Sequence, residues 1–315
     1  MALSRLSVIL AAPRGFCAGV DRAVAIVEHL LSRFGAPIYV RHEIVHNRFV
    51  VEGLKARGAV FVEELDAVPR GSRVVLSAHG VPTWVMDKAA ALGLIVTDAT
   101  CPLVAKVHAE ARRHARQGCD IVLIGHAGHP EVIGTTGQVS GTRVHLVETP
   151  ADAEALCPAD PGRLALVTQT TLAVDETADI VARLRARFPA IRLPPRGDIC
   201  FATTARQAAV KAIAGRCDAI LVIGAPNSSN SRRLTEVAAR AGCAKVRLIE
   251  TAADLDWDWL SGVATLGISA GASAPEVLAE GVLAALGERR ALAVEESIDS
   301  VEEAVFPLPP DLRDP

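Results

Sequence analysis

Three of the seven cysteines share one local setting. Ser7-Val-Ile-Leu-Ala-Ala-Pro-Arg-Gly-Phe-Cys17, Leu94-Ile-Val-Thr-Asp-Ala-Thr-Cys101 and Ala190-Ile-Arg-Leu-Pro-Pro-Arg-Gly-Asp-Ile-Cys200 each run from a strand-like segment into a cysteine, and an amphipathic, Ala-rich stretch follows each. Val24, Val27, Leu30 and Leu31 after Cys17 carry the helical spacing. Three thiolates from separate segments cannot all pair as disulfides, and their distant spacing fits no zinc finger. Cysteine thiolates are the usual ligands of iron-sulfur clusters, so the set predicts a cluster on Cys17, Cys101 and Cys200 with one iron left open to a ligand. Singly, each cysteine reads as a small buried hydrophobe at a strand end. The shared setting favours ligation. Cys119 and Cys217 just ahead of strands, Cys157 in a loop and Cys243 after a helix lack that setting and are assigned no chemistry.

Polar loops recur at fixed distances from these cysteines. His42-Glu-Ile-Val-His-Asn47, Gly125-His-Ala-Gly-His-Pro-Glu131 and Gly224-Ala-Pro-Asn-Ser-Ser-Asn230 put His46, His129 and Ser228 at 29, 28 and 28 residues beyond Cys17, Cys101 and Cys200. Ser77-Ala-His-Gly-Val81, Thr168-Gln-Thr-Thr171 and Ser269-Ala-Gly-Ala-Ser273 end later strands. The loops supply His46, His79, His129, Thr170, Thr171, Ser228, Ser229, Asn230 and Ser273, rich in hydrogen-bonding groups and poor in fixed charge. With the N–H groups of helix N-termini, such a set suits an anion without needing lysine. Histidine adds a proton or a charge near neutral pH. His29, His108, His114 and His145 fall in helical or strand settings and read as structural. Glu131 is the only carboxylate from Gly125 to Glu131, at a helix start two residues past His129. Its ordinary role there is to favour the helix N-terminus. Beside a cluster and a bound anion it is the expected proton source, with Thr170 to relay or orient the proton and His129 as its companion.

Positioning these residues requires three copies of one strand-helix unit. The short apolar runs Pro37-Ile-Tyr-Val40, Ile121-Val-Leu-Ile124 and Ala219-Ile-Leu-Val-Ile223 follow the three helices, and Val60–Glu64, Val144–Glu148 and Val246–Glu250 form third strands. The last unit ends in Ala291-Leu-Ala-Val294 with no cysteine after it. Alternating strands and helices with near-continuous apolar strands predict an α/β fold of three similar units, each with a small, mainly parallel sheet. Functional residues of such sheets gather at the carboxyl ends of strands. A pseudo-threefold arrangement would therefore gather the loops at one central iron-sulfur site. The expected units are 19–100, 101–196 and 197–290 with 1–18, leaving 291–315 as a C-terminal tail; the N-terminal strand is expected in the third unit's sheet.

Composition agrees. The 315 residues carry a net charge of −3 and a mean hydropathy of +0.30, and three Trp, one Tyr and seven Phe leave cores to aliphatic residues. Neither charge nor aromatic content suits a nucleic-acid binder. The first ten residues lack a secretory h-region and no apolar run reaches the ~18 residues of a membrane span, so a reduced, cytoplasmic protein is expected.

Long, dispersed motifs carry a resemblance. Pro13-Arg-Gly-Phe-Cys-Ala-Gly-Val-Asp-Arg-Ala23, Val45-His-Asn47, Ala78-His-Gly80, Asp98-Ala-Thr-Cys-Pro-Leu-Val104, Gly128-His-Pro-Glu131, Thr168-Gln-Thr-Thr-Leu172, Ala202-Thr-Thr-Ala-Arg-Gln207, Asn227-Ser-Ser-Asn230 and Ala270-Gly-Ala-Ser-Ala-Pro275 resemble the 4-hydroxy-3-methylbut-2-enyl diphosphate reductases, the last enzymes of the methylerythritol phosphate route to isoprenoids. The resemblance implies removal of the substrate's allylic hydroxyl with two electrons and two protons, giving isopentenyl and dimethylallyl diphosphate. It implies an oxygen-sensitive 4Fe-4S cluster on Cys17, Cys101 and Cys200, and a diphosphate held among His46, His79, His129, Ser228, Ser229, Asn230 and Ser273. It also implies proton delivery by Glu131 with Thr170, and electrons from a reduced ferredoxin or flavodoxin. Two rivals remain open on the residues alone: a hydro-lyase using an open iron without net reduction, and a non-enzymatic iron-sulfur redox sensor.

Overall fold

The computed structural model describes residues 4–313, so the outermost residues of the 1–18 and 291–315 assignments lie outside the described residues. Along the chain run β1 (Arg5–Ala12), α1 (Ala18–Phe34), β2 (Ile38–Arg41), α2 (Arg48–Ala56), β3 (Ala59–Val62), β4 (Arg73–Leu76), α3 (Thr83–Ala91), β5 (Ile95–Asp98), α4 (Pro102–Arg116), β6 (Asp120–Ile124), α5 (Pro130–Thr136), β7 (Val144–Val147), α6 (Pro150–Ala155), β8 (Leu164–Thr168), α7 (Val174–Arg187), α8 (Phe201–Ala214), β9 (Ala219–Ile223), α9 (Ser229–Arg240), β10 (Val246–Ile249), β11 (Thr265–Ala270), α10 (Glu276–Gly287) and β12 (Ala291–Ile298).

The strands read as continuous apolar runs because both of their faces are covered. Leu6, Val8 and Leu10 of β1 pack in one cluster with Leu278, Val282 and Leu286 of α10, while Ile9 and Ala11 pack in another with Val210 and Ile213 of α8. The same two-residue alternation divides β6: Val122 and Ile124 join Ile180 and Leu184 of α7, and Ile121 and Leu123 join Val107 and Ala111 of α4. Each such Val, Leu or Ile side chain removed from water stabilises the fold by about 1.5–3 kcal/mol.

Three all-parallel sheets result, as expected: β10-β9-β11-β1-β12, β3-β2-β4-β5 and β7-β6-β8. β1 lies between β11 and β12, so the N-terminal strand does join the third sheet. Two features differ from the expected pattern. The segment ahead of Cys200 reduces to a single bridge, Ala165 to Arg192, because Pro194 and Pro195 have no N–H to extend a ladder. The last strand, expected over Ala291–Val294 at the start of the 291–315 tail, runs on to Ile298 and pairs with the whole of β1, from Arg5 against Ala291 to Ala12 against Ile298.

The chain divides into two compact units. One comprises the described residues of Met1–Ala18 with His46–Arg48 and Phe201–Val305, and holds the five-stranded sheet. The other comprises Gly19–Val45, Phe49–Cys200 and the described part of Phe306–Pro315, and holds the remaining two sheets. Among the described residues no helix is long and apolar enough to cross a membrane.

Candidate active site

Cys17, Cys101 and Cys200 immediately precede α1, α4 and α8. The backbone N–H of each donates to the carbonyl two residues past the end of a strand: Cys17 to Ala272 after β11 (3.2 Å), Cys101 to Ala78 after β4 (3.0 Å) and Cys200 to Thr170 after β8 (3.1 Å). The repeat inferred from spacing therefore extends to individual hydrogen bonds, and each bond ties a cysteine to one of the polar loops. All three residues are half-buried thiols at helix starts, where negative charge is favoured. The other four differ. Cys119 is buried and Cys157 exposed, and burial pushes the Cys217 thiol up to about 12 and the Cys243 thiol upward.

In the unit that holds Cys101 and Cys200, α5 delivers the acid. His129 caps the helix, its Nδ1 accepting the Glu131 N–H (3.2 Å). A neutral His129 ring with Nδ1 so used carries its hydrogen on Nε2. Glu131 is buried, and both of its carboxyl oxygens are engaged by one residue: the Thr170 N–H donates to Oε1 (2.7 Å) and Thr170 Oγ1 to Oε2 (3.0 Å). Burial raises its pKa to about 7, against the lowering effect of the two Thr170 bonds and with a smaller push upward from Asp198. Thr170 thus bonds the acid through its N–H and hydroxyl, and Cys200 through its carbonyl. The His79 ring lies 6.0 Å from that of His129, edge to face, and His79 Nδ1 is 3.3 Å from Ser77 Oγ. Thr171 Oγ1 accepts from Gln169 Nε2 (2.9 Å), whose Oε1 accepts the His126 N–H (3.0 Å).

A second set lies in the other unit, which holds Cys17. Ser228 caps α9, its Oγ accepting from Ser231 N–H (3.3 Å) and Ser231 Oγ (3.0 Å), and Ser229 and Asn230 follow in the first turn, both buried. Asn230 Oδ1 accepts the Ala272 N–H (2.9 Å), fixing the loop whose carbonyl takes the Cys17 N–H. Asn230 Nδ2 is buried with no hydrogen-bond partner among the described residues. An orphaned donor of this kind is costly unless a ligand oxygen meets it. Ser273 Oγ donates to His46 O (2.9 Å), and Asn227 Nδ2 lies 3.4 Å from His46 Nδ1.

The expected residues therefore fall into two sets, His46, Ser228, Ser229, Asn230 and Ser273 in the unit of Cys17, and His79, His129, Glu131, Thr170 and Thr171 in the unit of Cys101 and Cys200. Of the histidines read as structural, His108 is buried in α4 and held down to about 4 by burial, with Arg112 adding to the effect, and His145 Nε2 sits 3.1 Å from Asp120. Sequence reading passed over Gln169 and Asp198. Asp198 accepts the Thr168 N–H (3.0 Å) at the end of β8. Only its place two residues before Cys200 could have drawn notice. Among the described residues no three His, Cys, Asp or Glu side chains form a group suited to one metal ion. An iron-sulfur cluster asks for something different, one thiolate for each ligated iron. Three half-buried thiols at equivalent helix starts fit that donor set.

The family model described as LytB protein matches residues 8–287. A 4-hydroxy-3-methylbut-2-enyl diphosphate reductase of Phenylobacterium zucineum is 60% identical over 304 residues, 96% of each chain, and one of Ruegeria pomeroyi is 58% identical over 315 residues, the full length of both. Among solved structures, the E-1-hydroxy-2-methyl-but-2-enyl-4-diphosphate reductase from Plasmodium falciparum is similar with a TM-score of 0.91 at 36% identity, over 99% of this chain and 97% of its own.

Proposed function

Because the chain belongs to the LytB protein family, we propose that it performs the reaction for which its relatives are named, the reduction of 4-hydroxy-3-methylbut-2-enyl diphosphate. It is an oxidoreductase: the allylic C–O bond breaks, two electrons and two protons enter, and water leaves with isopentenyl or dimethylallyl diphosphate as product. The observation that carries the residue assignment is the buried Glu131 carboxyl, held on both oxygens by Thr170 with its pKa near neutrality.

Cys17, Cys101 and Cys200 would hold a 4Fe-4S cluster with one open iron, which would pass electrons on to the substrate and polarise the departing oxygen. This chain's own residues handle the proton and the anion. When Glu131 carries its proton on Oε2, the bond to Thr170 reverses: Oε2–H donates to Oγ1, and the threonine hydroxyl turns its own hydrogen away from the carboxyl. Protonation of the leaving hydroxyl then passes from Glu131 through Thr170 or directly from the carboxyl. His129, with its hydrogen on Nε2, would donate to a diphosphate oxygen, as would His46, His79, Thr171, Ser228 and Ser229; Ser273 would do so by turning its hydroxyl hydrogen from His46 O to the anion. The orphaned Asn230 Nδ2 supports that assignment. Reduced ferredoxin or flavodoxin in the cytoplasm would be the electron donor; neither nucleic acid nor membrane has a part in the reaction.

The test is anaerobic reconstitution followed by an assay with the hydroxylated allylic diphosphate and reduced viologen. The expected result is two viologen electrons consumed per isopentenyl or dimethylallyl product. Water loss without viologen oxidation would instead identify a hydro-lyase.

A further inference from the structure

Each helix that follows one of the three cysteines carries a cation in its second turn: Arg22 in α1, Lys106 in α4 and Arg206 in α8, at five, five and six residues past Cys17, Cys101 and Cys200. Each donates to backbone carbonyls of the loop leading to the next cysteine in cyclic order. Arg22 Nη1 reaches Thr100 O (3.1 Å), beside Cys101. Lys106 Nζ reaches Gly197 O (2.8 Å) and Asp198 Oδ1 (3.4 Å), just ahead of Cys200. Arg206 reaches Gly15 O through Nε (3.0 Å) and Nη2 (2.8 Å), and Phe16 O through Nη2 (2.9 Å), beside Cys17.

Resting on the assignment of these cysteines as cluster ligands, we propose that Arg22, Lys106 and Arg206 are positioning residues, each locking the loop that carries the next ligand. Loops between a strand end and a helix start have carbonyls with no ladder partner, and a cation satisfies them with charge-assisted bonds. Arg206 is 1% exposed, a costly place for a guanidinium unless its charge and donors are all met. They are: Nη1 donates to Ala202 O (3.0 Å) and to Glu302 Oε2 (2.6 Å). Glu302 Oε1 in turn accepts the Ala18 N–H (3.5 Å), so the pair grips the backbone on both sides of Cys17. Arg22 is steadied in the same manner, its Nε donating to Pro307 O (2.9 Å). Residues near the C-terminus thus back two of the three clamps. Outer partners that orient metal ligands govern how firmly the metal is held.

The experiment follows iron release from anaerobically reconstituted holoprotein to a ferrous chelator, together with the electron paramagnetic resonance spectrum of the reduced protein. Arg22→Met, Lys106→Met and Arg206→Met should each release iron about tenfold faster than wild type with an altered spectrum, and Arg22→Lys and Lys106→Arg should return to within about twofold. Arg183→Met, which removes a guanidinium from α7 that pairs with Asp179 and Glu154, should keep the wild-type rate. Lys106 is 39% exposed and its variant can fold without it; Glu302→Gln provides a milder probe of the buried pair should Arg206→Met not fold. Release within about twofold of wild type in Arg22→Met and Lys106→Met, or equal acceleration in Arg183→Met, would overturn the proposal. A wild-type protein that takes up no cluster, or a Cys17→Ser variant that keeps it, would overturn the ligand assignment instead.

Discussion

At the scale of residues, Glu131 carries the sharpest consequence. An acid whose pKa is raised on folding binds its proton more tightly in the folded than in the unfolded state. Stability therefore falls as pH rises from 4.5, its ordinary value, to about 7. The full displacement is worth about 3 kcal/mol. Glu131→Gln removes the titration, while its amide can still accept the Thr170 N–H on Oε1 and donate from Nε2 to Thr170 Oγ1, contacts that do not vary with pH. The melting temperature of the variant minus that of the wild type should therefore climb between pH 4.5 and 7 and level off above; a flat difference would mean the carboxyl titrates normally. The same variant should bind substrate with kcat lowered by about 10²-fold or more. Glu131 was legible in the sequence because it is the only carboxylate in its loop. The two Thr170 bonds were not, since 39 residues separate the partners and only the folded loops bring them together.

At the scale of elements, α5 must lie against the loop of His79 for the two histidines to face each other. Two glycines permit it. A Cβ on Gly134 would sit 3.1 Å from Gly80 O, and one on Gly137 would collide with the Pro82 ring. The approach is fastened by Gly137 O, which accepts from Thr83 N–H (3.1 Å) and Thr83 Oγ1 (3.1 Å), and by Gln138 Nε2 donating to Val81 O (2.7 Å). Gly137→Ala should lower stability by about 1–3 kcal/mol through overpacking. It should also raise KM, because the ring of His129 would move from that of His79. Gly53→Ala in α2, where a Cβ meets nothing, should be neutral or stabilising by up to about 1 kcal/mol. Thermal melts and steady-state kinetics of both variants decide this; a Gly137→Ala protein that matches wild type in both would refute it. The sequence showed the strands and the helix starts, because apolar runs and cysteine spacing are local signals. It misplaced the strand before Cys200, where Pro194 and Pro195 outweigh the apolar Ile191 and Leu193. It also stopped short on β12, whose continuation past Val294 opens with the polar Glu295 and Glu296 and is held in the sheet by β1.

At the scale of the whole molecule, three parallel sheets were readable from repetition, whereas the division into two compact units was not. His46–Arg48 belongs with the five-stranded sheet although its neighbours in sequence belong to the other unit. What fixes it there, the Ser273 hydroxyl on His46 O and Asn227 beside the His46 ring, spans about 180 to 230 residues of chain and leaves no local trace. The three-copy pattern of cysteine N–H bonds nevertheless gives the molecule one organising feature, a thiol at the start of a helix in each repeat. The central claim is that these three thiols, and not the other four, hold the cluster. Iron and acid-labile sulfide measured in anaerobically reconstituted Cys17→Ser, Cys101→Ser, Cys200→Ser and Cys119→Ser test it most directly. The account predicts wild-type content in Cys119→Ser and loss of the cluster in each of the other three; equal content in all four would contradict it.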